Sequence, residues 1–527
     1  MKTLDFPDLP YESRVLGHFL GKWAAETPDR PYMTIVGETF SFAEMNSRSR
    51  AVARGLSRRG LNEGKRLMLF LPNCREFVFS WFAASVLGAV TVPVNFNLKG
   101  TLLDYTINDC KPDGLIIHHS LLAVLDTLQP EVRASLAWIA VVGESAPLDQ
   151  QFIAFDSLYE HEGPDPEIPG DFRRLQAISY TSGTTGPSKG VLCSNSAAFC
   201  SGHNFIDVMA FAQNDILYAP LPLFHGMSSR QGSIPALVVG AHIVIDEHFS
   251  ASRYFQRATE VGATLGMVVH ALVPLLKVQP PGQFDRRHKI RAMFNTRHDR
   301  EFEERFGVHM VEAFAMTETS YLLKTPYPER KWGSTGRAHP DWDLRLVDAE
   351  DFPVPVGVPG ELVARPRKPY IMMEGYLNKP EVTLHAWRNG WFHTGDMMWQ
   401  DEEGYFFYMD RDKDRIRRRG ENVSSAEIET CVCTHPDIAE AAALPHPAGD
   451  GEDEIRILVV RRSGSKLQAG ELWDWLRERL PKFMQPRFIE FVTELPRTGT
   501  SKLNKQQLVK QGLGANAWDA ALHRKGN

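Results

Sequence analysis

Leu175-Gln176-Ala177-Ile178-Ser179-Tyr180-Thr181-Ser182-Gly183-Thr184-Thr185-Gly186-Pro187-Ser188-Lys189-Gly190-Val191-Leu192 decides how this chain is read. Residues 175–180 form an apolar run that reads as a buried strand. A turn rich in glycine and hydroxyl residues follows, and Val191-Leu192 begins another apolar step. Gly183, Gly186 and Gly190 free the backbone to turn its N–H groups toward an anion. The hydroxyls can donate to phosphate oxygens, and Lys189 adds a positive charge. A Walker A loop reads Gly-x-x-x-x-Gly-Lys-Ser/Thr. Counted from Gly183, Ser188 stands at the second glycine and Gly190 at the magnesium-holding hydroxyl. The loop suits a nucleoside triphosphate, and the P-loop kinase and GTPase class is excluded.

Outward from this loop the chain alternates helix-like and strand-like stretches, the pattern of an α/β fold. Residues 47–59 read as a surface helix, and 65–71, 115–118 and 138–142 as strands. The stretch 77–98 has no charged residue, yet it changes character midway. Residues 77–87 read as a buried helix, Gly88 ends it, and 89–94 read as a short buried strand. A bilayer helix needs about 20 continuous apolar residues, so no membrane span is expected. Near residue 400 the texture shifts. Residues 397–400 and 405–409 read as two strands joined by a turn ending in Gly404. A dense run of mixed charge follows from Arg411. Then Ser424 and Glu427 take capping-box spacing, and Leu472, Trp473, Leu476 and Leu480 share a helical stripe. The expected architecture is a large N-terminal layered α/β body, residues 1–410, with a small mobile C-terminal α+β domain, residues 411–527.

The chain has 527 residues, which by length alone suggests three or four structural units at about 150 residues each. Lys and Arg number 59 against 65 Asp and Glu, a net −6, so no nucleic-acid or membrane-surface binding by overall charge is expected. Six cysteines in this length are no disulfide framework, and none sits at zinc-ligand spacing. Reduced thiols, no apolar secretory segment at the start and an internal Ser501-Lys502-Leu503 together give the expectation of a cytoplasmic protein.

The segment from Thr181 to Gly190 closely resembles the phosphate loop of the acyl-adenylate-forming superfamily, which includes acyl-CoA synthetases, peptide-synthetase adenylation domains and firefly luciferase. Five further segments follow in that family's order: Pro222-Leu223-Phe224-His225, Phe314-Ala315-Met316-Thr317-Glu318, Trp391 to Asp396, Asp410 to Asp414 with Gly420-Glu421-Asn422, and Pro496 to Lys502. The resemblance implies a two-step reaction. A carboxylate attacks the α-phosphate of ATP to give acyl-AMP and pyrophosphate, and a thiol, usually coenzyme A, then displaces AMP.

Carried over residue by residue, the resemblance assigns Thr181, Ser182, Gly183, Thr184, Thr185, Gly186 and Lys189 to the β- and γ-phosphates. Phe314, Ala315 and Met316 belong to the ATP site, with Phe314 offering its face to adenine. Thr317 would contact the α-phosphate and Glu318 would ligate Mg²⁺. Asp396 would accept both ribose hydroxyls, and Arg411 would contact ribose or phosphate. Lys502 would align carboxylate and α-phosphate for adenylation. Lys413 is the implied hinge and Gly420 lines the implied coenzyme A tunnel. The acyl pocket falls to His225, Met227, Val268, Val269 and His270. His225 is a gate, a carboxylate neighbour or a core histidine, while His270 and Arg230 meet a polar group of the substrate or are structural.

The chain departs from the family at four places. Residues 291–299 lack the Gly-Gly-Ala-Pro segment that usually borders adenine. Ala315 replaces a glycine, Phe314 a tyrosine, and Ser501 a glycine. The altered adenine region and residues 278–281 are most similar to carnitine and crotonobetaine CoA ligases. The expected function is an ATP-dependent acid:CoA ligase using ATP, Mg²⁺ and coenzyme A. The alternatives are an adenylating amide synthetase with an amine acceptor, and a non-catalytic acyl- or nucleotide-binding relative. Whether the protein forms a homodimer is left open by the sequence.

Overall fold

The computed structural model describes residues 14–143, 151–160, 162–181, 188–269, 272–295, 298–411, 415–418, 421–448, 452–496 and 505–523. The fold is mixed α/β, with a large N-terminal body and a small C-terminal part. Among the described residues, one sheet has seven strands in the order Phe152–Ala154, Ile139–Val142, Gly114–His118, Arg66–Phe70, Val90–Pro93, Leu175–Thr181 and Lys189–Ser194. Neighbours run parallel until the last pair, which is antiparallel and flanks the glycine-rich sequence 182–187.

A second sheet of thirteen strands holds the rest of the body. Its parallel part runs Pro31–Ile35, His242–Ile245, Ile216–Tyr218, Leu265–Met267, Ala292–Asn295 and His309–Met316. From His309–Met316 it turns antiparallel through Ser320–Lys324, Gly336–Ala338, Tyr405–Arg411, Phe392–Gln400, Gly360–Pro366 and Trp342–Val347. The expected hairpin near residue 400 is therefore longer than its apolar signal. Its first strand starts at Phe392, and Asp396 pairs opposite Arg411.

The helix expected at 47–59 spans Phe42–Arg58. Ser41 accepts the Glu44 N–H at 3.2 Å while the Glu44 carboxylate accepts the Ser41 N–H at 2.8 Å, so the capping box starts the helix early. Phe42, Met45, Val52 and Leu56 are buried, so this helix has a core face and is not confined to the surface. The helix Arg75–Leu87 is buried throughout from Phe77. Gly88 at φ 67° reverses the chain into the strand Val90–Pro93, a left-handed turn that favours glycine. The stretch is thus an interior helix and strand, and among the described residues no helix is long and apolar enough to cross a membrane.

The C-terminal part pairs Arg415–Arg418 with Glu421–Ser424. It also forms a sheet from Ile438–Pro447, Asp453–Arg461, Phe488–Val492 and Trp518–Asp519. Helices Ser425–Cys433 and Ala469–Arg479 cover this sheet, and Leu472, Trp473 and Leu476 are buried as their stripe predicts. Leu480 lies just beyond the helix end and is buried in the same core. Leu102 of the helix Thr101–Cys110 belongs to this core as well, so the body contributes a seat for the C-terminal part. All six cysteines are free, and burial pushes the Cys110 and Cys200 thiols up to about 12.

Burial holds three imidazoles neutral in the body. His242, His298 and His309 are each pushed down to about 4, with Arg330 adding to the effect at His298 and His309. An unfolded histidine takes up its proton near 6.5, so between 6.5 and 4 the unfolded state binds more protons and stability rises with pH. Each ring contributes up to about 3 kcal/mol of acid lability, less where solvent reaches it. Melting temperature is expected to hold from about pH 8 to 6.5 and to fall steadily toward pH 4. A flat profile across that window would contradict the burial of these rings.

Candidate active site

Thr181 and Lys189 face each other in antiparallel register at the ends of the last two strands of the seven-stranded sheet. A second segment crosses over them. The Leu377 N–H donates to the Gly190 carbonyl at 2.8 Å, and the Leu192 N–H donates to the Gly375 carbonyl at 3.0 Å. This close crossing explains Gly190, because a Cβ there would stand 2.9 Å from Ile178 Cγ2 and 3.3 Å from Leu377 Cβ. The crossing carries Tyr376 into the site. Its hydroxyl donates to Glu318 Oε1 at 3.0 Å, and Lys189 Nζ lies 4.9 Å from its ring centroid. One aromatic side chain therefore joins the lysine of the loop to the buried carboxylate.

Thr317 and Glu318 follow directly on the strand His309–Met316. Glu318 is 8% exposed, its carbonyl accepts the Met373 N–H at 2.7 Å, and no described cationic side chain lies within ion-pair distance of it. Phe314, Ala315 and Met316 are half-buried at the strand's end, where a bulge between Phe314 and Ala315 shifts the register against Ser320–Lys324. The Phe314 and Tyr408 rings lie 6.4 Å apart, and the Tyr408 hydroxyl donates to Asp396 Oδ1 at 3.3 Å. Asp396 is 1% exposed. Its backbone approach is fixed from behind. Glu361 Oε1 accepts the Gly395 N–H at 2.9 Å, while Glu361 Oε2 meets His393 Nδ1 at 2.9 Å and Arg388 Nη2 at 3.1 Å. Asp351, Glu361 and His393 have the composition of a metal cluster. The Arg388 guanidinium, which also bonds Asp351 at 3.2 Å, already supplies the cation there.

His225 caps the short helix Gly226–Ser228, its Nδ1 accepting the Met227 N–H at 3.4 Å. It stands exposed in the cleft, so the core-histidine reading does not hold. The protein mass around the cleft and the Arg230 guanidinium push its imidazole down to about 4, and the solvent that reaches it moderates this. Arg230 lies on the π-helical turn Ser229–Ser233 and donates through Nη1 to the Thr317 carbonyl and to Cys193 Sγ, both at 3.2 Å. Among the described residues it has no carboxylate within ion-pair distance. Met227 is buried and Val269 partly exposed, but Val268 is wholly inside the core beside Tyr254. Val268 is thus shut off from any open pocket wall by the core, which corrects the expected lining, and Val269 is the more exposed of the two.

Residues 20–377 match the family model described as AMP-binding enzyme, and residues 427–502 match its C-terminal domain. The chain belongs to the AMP-binding enzyme family. It is an acyl-adenylate-forming enzyme, and acid–thiol ligase is the class for which its curated relatives are named. The crotonobetaine/carnitine–CoA ligase of Salmonella agona is 29% identical over 481 residues, covering 89% of this chain and 93% of the relative. The fold is shared with an o-succinylbenzoate CoA synthetase from Bacillus subtilis at a TM-score of 0.81 and 24% identity, covering 93% of this chain and 98% of that one. It is shared also with an amide bond synthetase from Marinactinospora thermotolerans at 0.78 and 21%, covering 95% of this chain and 99% of that one.

In this AMP-binding enzyme, Ser182, Gly183, Thr184, Thr185, Gly186, His270, Lys413, Gly420 and Lys502 lie outside the described residues. For Arg411 the backbone strand is described and the side chain is not. Two pairs of the described site residues are brought together. Lys189 and Glu318 meet around Tyr376, and Phe314 and Asp396 meet around Tyr408. Neither tyrosine was singled out in the sequence. Tyr408 sits in a stretch that reads as an ordinary apolar strand, and Tyr376 in a loop whose crossing depends on long-range pairing.

Proposed function

We propose that the protein is an AMP-forming acid:coenzyme A ligase. The observation that carries this reading is the Tyr376 junction, where the loop lysine lies over the ring whose hydroxyl bonds a buried carboxylate that has no described cation within ion-pair distance. In the first step the acid's carboxylate oxygen bonds to the α-phosphorus of ATP and the bond to the β-phosphate oxygen breaks, releasing pyrophosphate. In the second, the thiol sulfur bonds to the acyl carbon and the mixed anhydride's carbon–oxygen bond breaks, releasing AMP. Attack of one anion on another needs alignment and charge neutralisation more than covalent help.

Thr181 and Lys189, with 182–186 between them, hold the β- and γ-phosphates in this reading. Thr317 meets the α-phosphate, Asp396 the ribose hydroxyls, Arg411 ribose or phosphate, and Phe314 with Tyr408 flank the adenine side. Glu318 fits a magnesium ion, since one carboxylate oxygen is steadied by Tyr376 and no described basic side chain competes for the other. A bound magnesium would neutralise phosphate oxygens. Residues 411–527 act as a lid hinged at Lys413, bringing Lys502 for adenylation and Gly420 for the thiol.

Arg230 bears on which acid is used. Its guanidinium touches the carbonyl of Thr317 and lacks a carboxylate partner among the described residues. A trimethylammonium substrate such as carnitine would be repelled there, whereas a second carboxylate or a strong acceptor group would be drawn in. Betaine acids are expected to show kcat/KM at least about tenfold below dicarboxylic acids of equal length. Arg230→Met is expected to remove that preference, and an unchanged preference would rule Arg230 out as its source. The reaction class itself is tested by a pyrophosphate-release screen over carboxylic acids with coenzyme A, without it, and with free amines instead. AMP and thioester forming only in the coenzyme A arm is the expected result, and amide formation in the amine arm would favour the synthetase alternative.

A further inference from the structure

Glu427 occupies the third position of the helix Ser425–Cys433, and Ser424 Oγ caps that helix by accepting the Glu427 N–H at 3.4 Å. Capping-box spacing would turn the Glu427 carboxylate back toward Ser424. It crosses instead to the body, where Oε1 accepts the Ser188 N–H at 2.9 Å and also the Ser188 hydroxyl. Ser188 lies between the glycine-rich segment and Lys189, and its carbonyl accepts the Tyr105 hydroxyl at 2.9 Å. The serine is thus held from the body side and the lid side at once.

The carboxylate is buried, 9% exposed, with no described Lys, Arg or His within ion-pair distance. Burial pushes its carboxyl up, and the two Ser188 donors draw it back down. Burying a carboxylate without a cation is costly, so the contact is not a default of packing. A backbone N–H and a hydroxyl beside a lysine are the donors that hold a phosphate oxygen. Further contacts seat the lid on the helix Thr101–Cys110 and the residues just before it. Leu98 and Leu102 join the lid core, and Lys99 Nζ donates to the Arg477 carbonyl at 2.7 Å.

We propose that Glu427 is a positioning residue that couples phosphate-loop occupancy to the lid: its carboxylate takes the Ser188 donors in the arrangement described here, and polyphosphate takes them when ATP or pyrophosphate is bound. This rests on the reading of the Thr181–Lys189 segment as the phosphate holder. Two anions cannot share one set of donors, so bound pyrophosphate displaces the lid and its departure lets Glu427 close. The lid is thereby held in this orientation for the thiol step only after the first product has gone.

The test uses the full chain carrying one fluorophore on the body and one on the lid, titrated with inorganic pyrophosphate. Wild type is expected to shift its energy-transfer efficiency saturably. Glu427→Gln, which removes the charge, is expected to start near the shifted value and respond at most about a third as much. Ser188→Ala, which removes only the hydroxyl donor, is expected to lie between them without pyrophosphate, and keeps the test open should Glu427→Gln fail to fold. In kinetics, Glu427→Gln is expected to slow thioester formation from preformed acyl-AMP about tenfold and to change ATP–pyrophosphate exchange less than about twofold. Identical titrations in wild type and both variants would overturn the proposal. So would equal losses in both half-reactions, the mark of a merely structural role. Failure of exchange with every acid would instead overturn the adenylation reading, because the titration needs no acid.

Discussion

Lys502→Ala is expected to abolish acid-dependent ATP–pyrophosphate exchange while leaving nucleotide affinity within a few fold. The barrier in the first step is the approach of a carboxylate to an anionic phosphate. A cation placed between them acts most strongly as charge redistributes in the transition state. Removing one such preorganised group costs about 3–4 kcal/mol, or roughly 10²–10³ in rate, and more where no second cation takes over. In the proposed reading ground-state binding of ATP would rest on the loop, Asp396 and the adenine side, so it should survive. Exchange measured with a productive acid, alongside calorimetric titration with ATP, checks both halves. An active Lys502→Ala enzyme would place the aligning cation elsewhere, with Lys189 the first alternative. The thiol step from preformed acyl-AMP is expected to be far less affected.

Asp396→Ala is expected to weaken ATP and AMP binding by about a hundredfold, with little change in the thiol's KM. A buried carboxylate accepting two ribose hydroxyls makes charge-assisted hydrogen bonds worth about 1.5–3 kcal/mol each. Part of that is spent when the nucleotide displaces the Tyr408 hydroxyl, which bonds Asp396 at 3.3 Å in this structure. Tyr408→Phe should therefore change affinity by less than about tenfold, which separates loss of the carboxylate from loss of its neighbour. The strand carrying Asp396 is held by backbone pairing to Arg411 and by Glu361 at Gly395, so the alanine variant should fold. Equal AMP affinities in wild type and Asp396→Ala would remove this residue from the ribose site.

The parts of the site that were legible in the sequence are those whose chemistry is local. Residues 175–192 announce two strands because apolar runs lie on either side of a glycine-rich stretch. The strands Leu175–Thr181 and Lys189–Ser194 follow that pattern closely. Boundaries were less legible where a side chain outside the apolar run decides them. Ser41 and Glu44 begin a helix before its periodic stretch, and pairing extends the hairpin back to Phe392. Least legible were residues whose role comes from elements far apart in the chain. Tyr376 meets Glu318 across 58 positions, Tyr408 meets Asp396 through strand register, and Glu427 meets Ser188 across 239. Val268 and Val269 show the same limit on a smaller scale, since a segment can be assigned to a pocket before it is known which neighbour faces inward.

The near-neutral net charge of −6 fits this arrangement. In the proposed reading a triphosphate would be met by a few cations, Lys189, Arg411 and Lys502, and would need no overall basic charge. The measurement that tests the central claim most directly follows the oxygen atoms of the acid. A carboxylic acid labelled with ¹⁸O in its carboxylate is converted with ATP and coenzyme A, and the products are weighed by mass spectrometry. Adenylation predicts one ¹⁸O in AMP and none in pyrophosphate. Label appearing in inorganic phosphate, with AMP unlabelled, would mean that the acid was activated as an acyl phosphate, and would contradict the account.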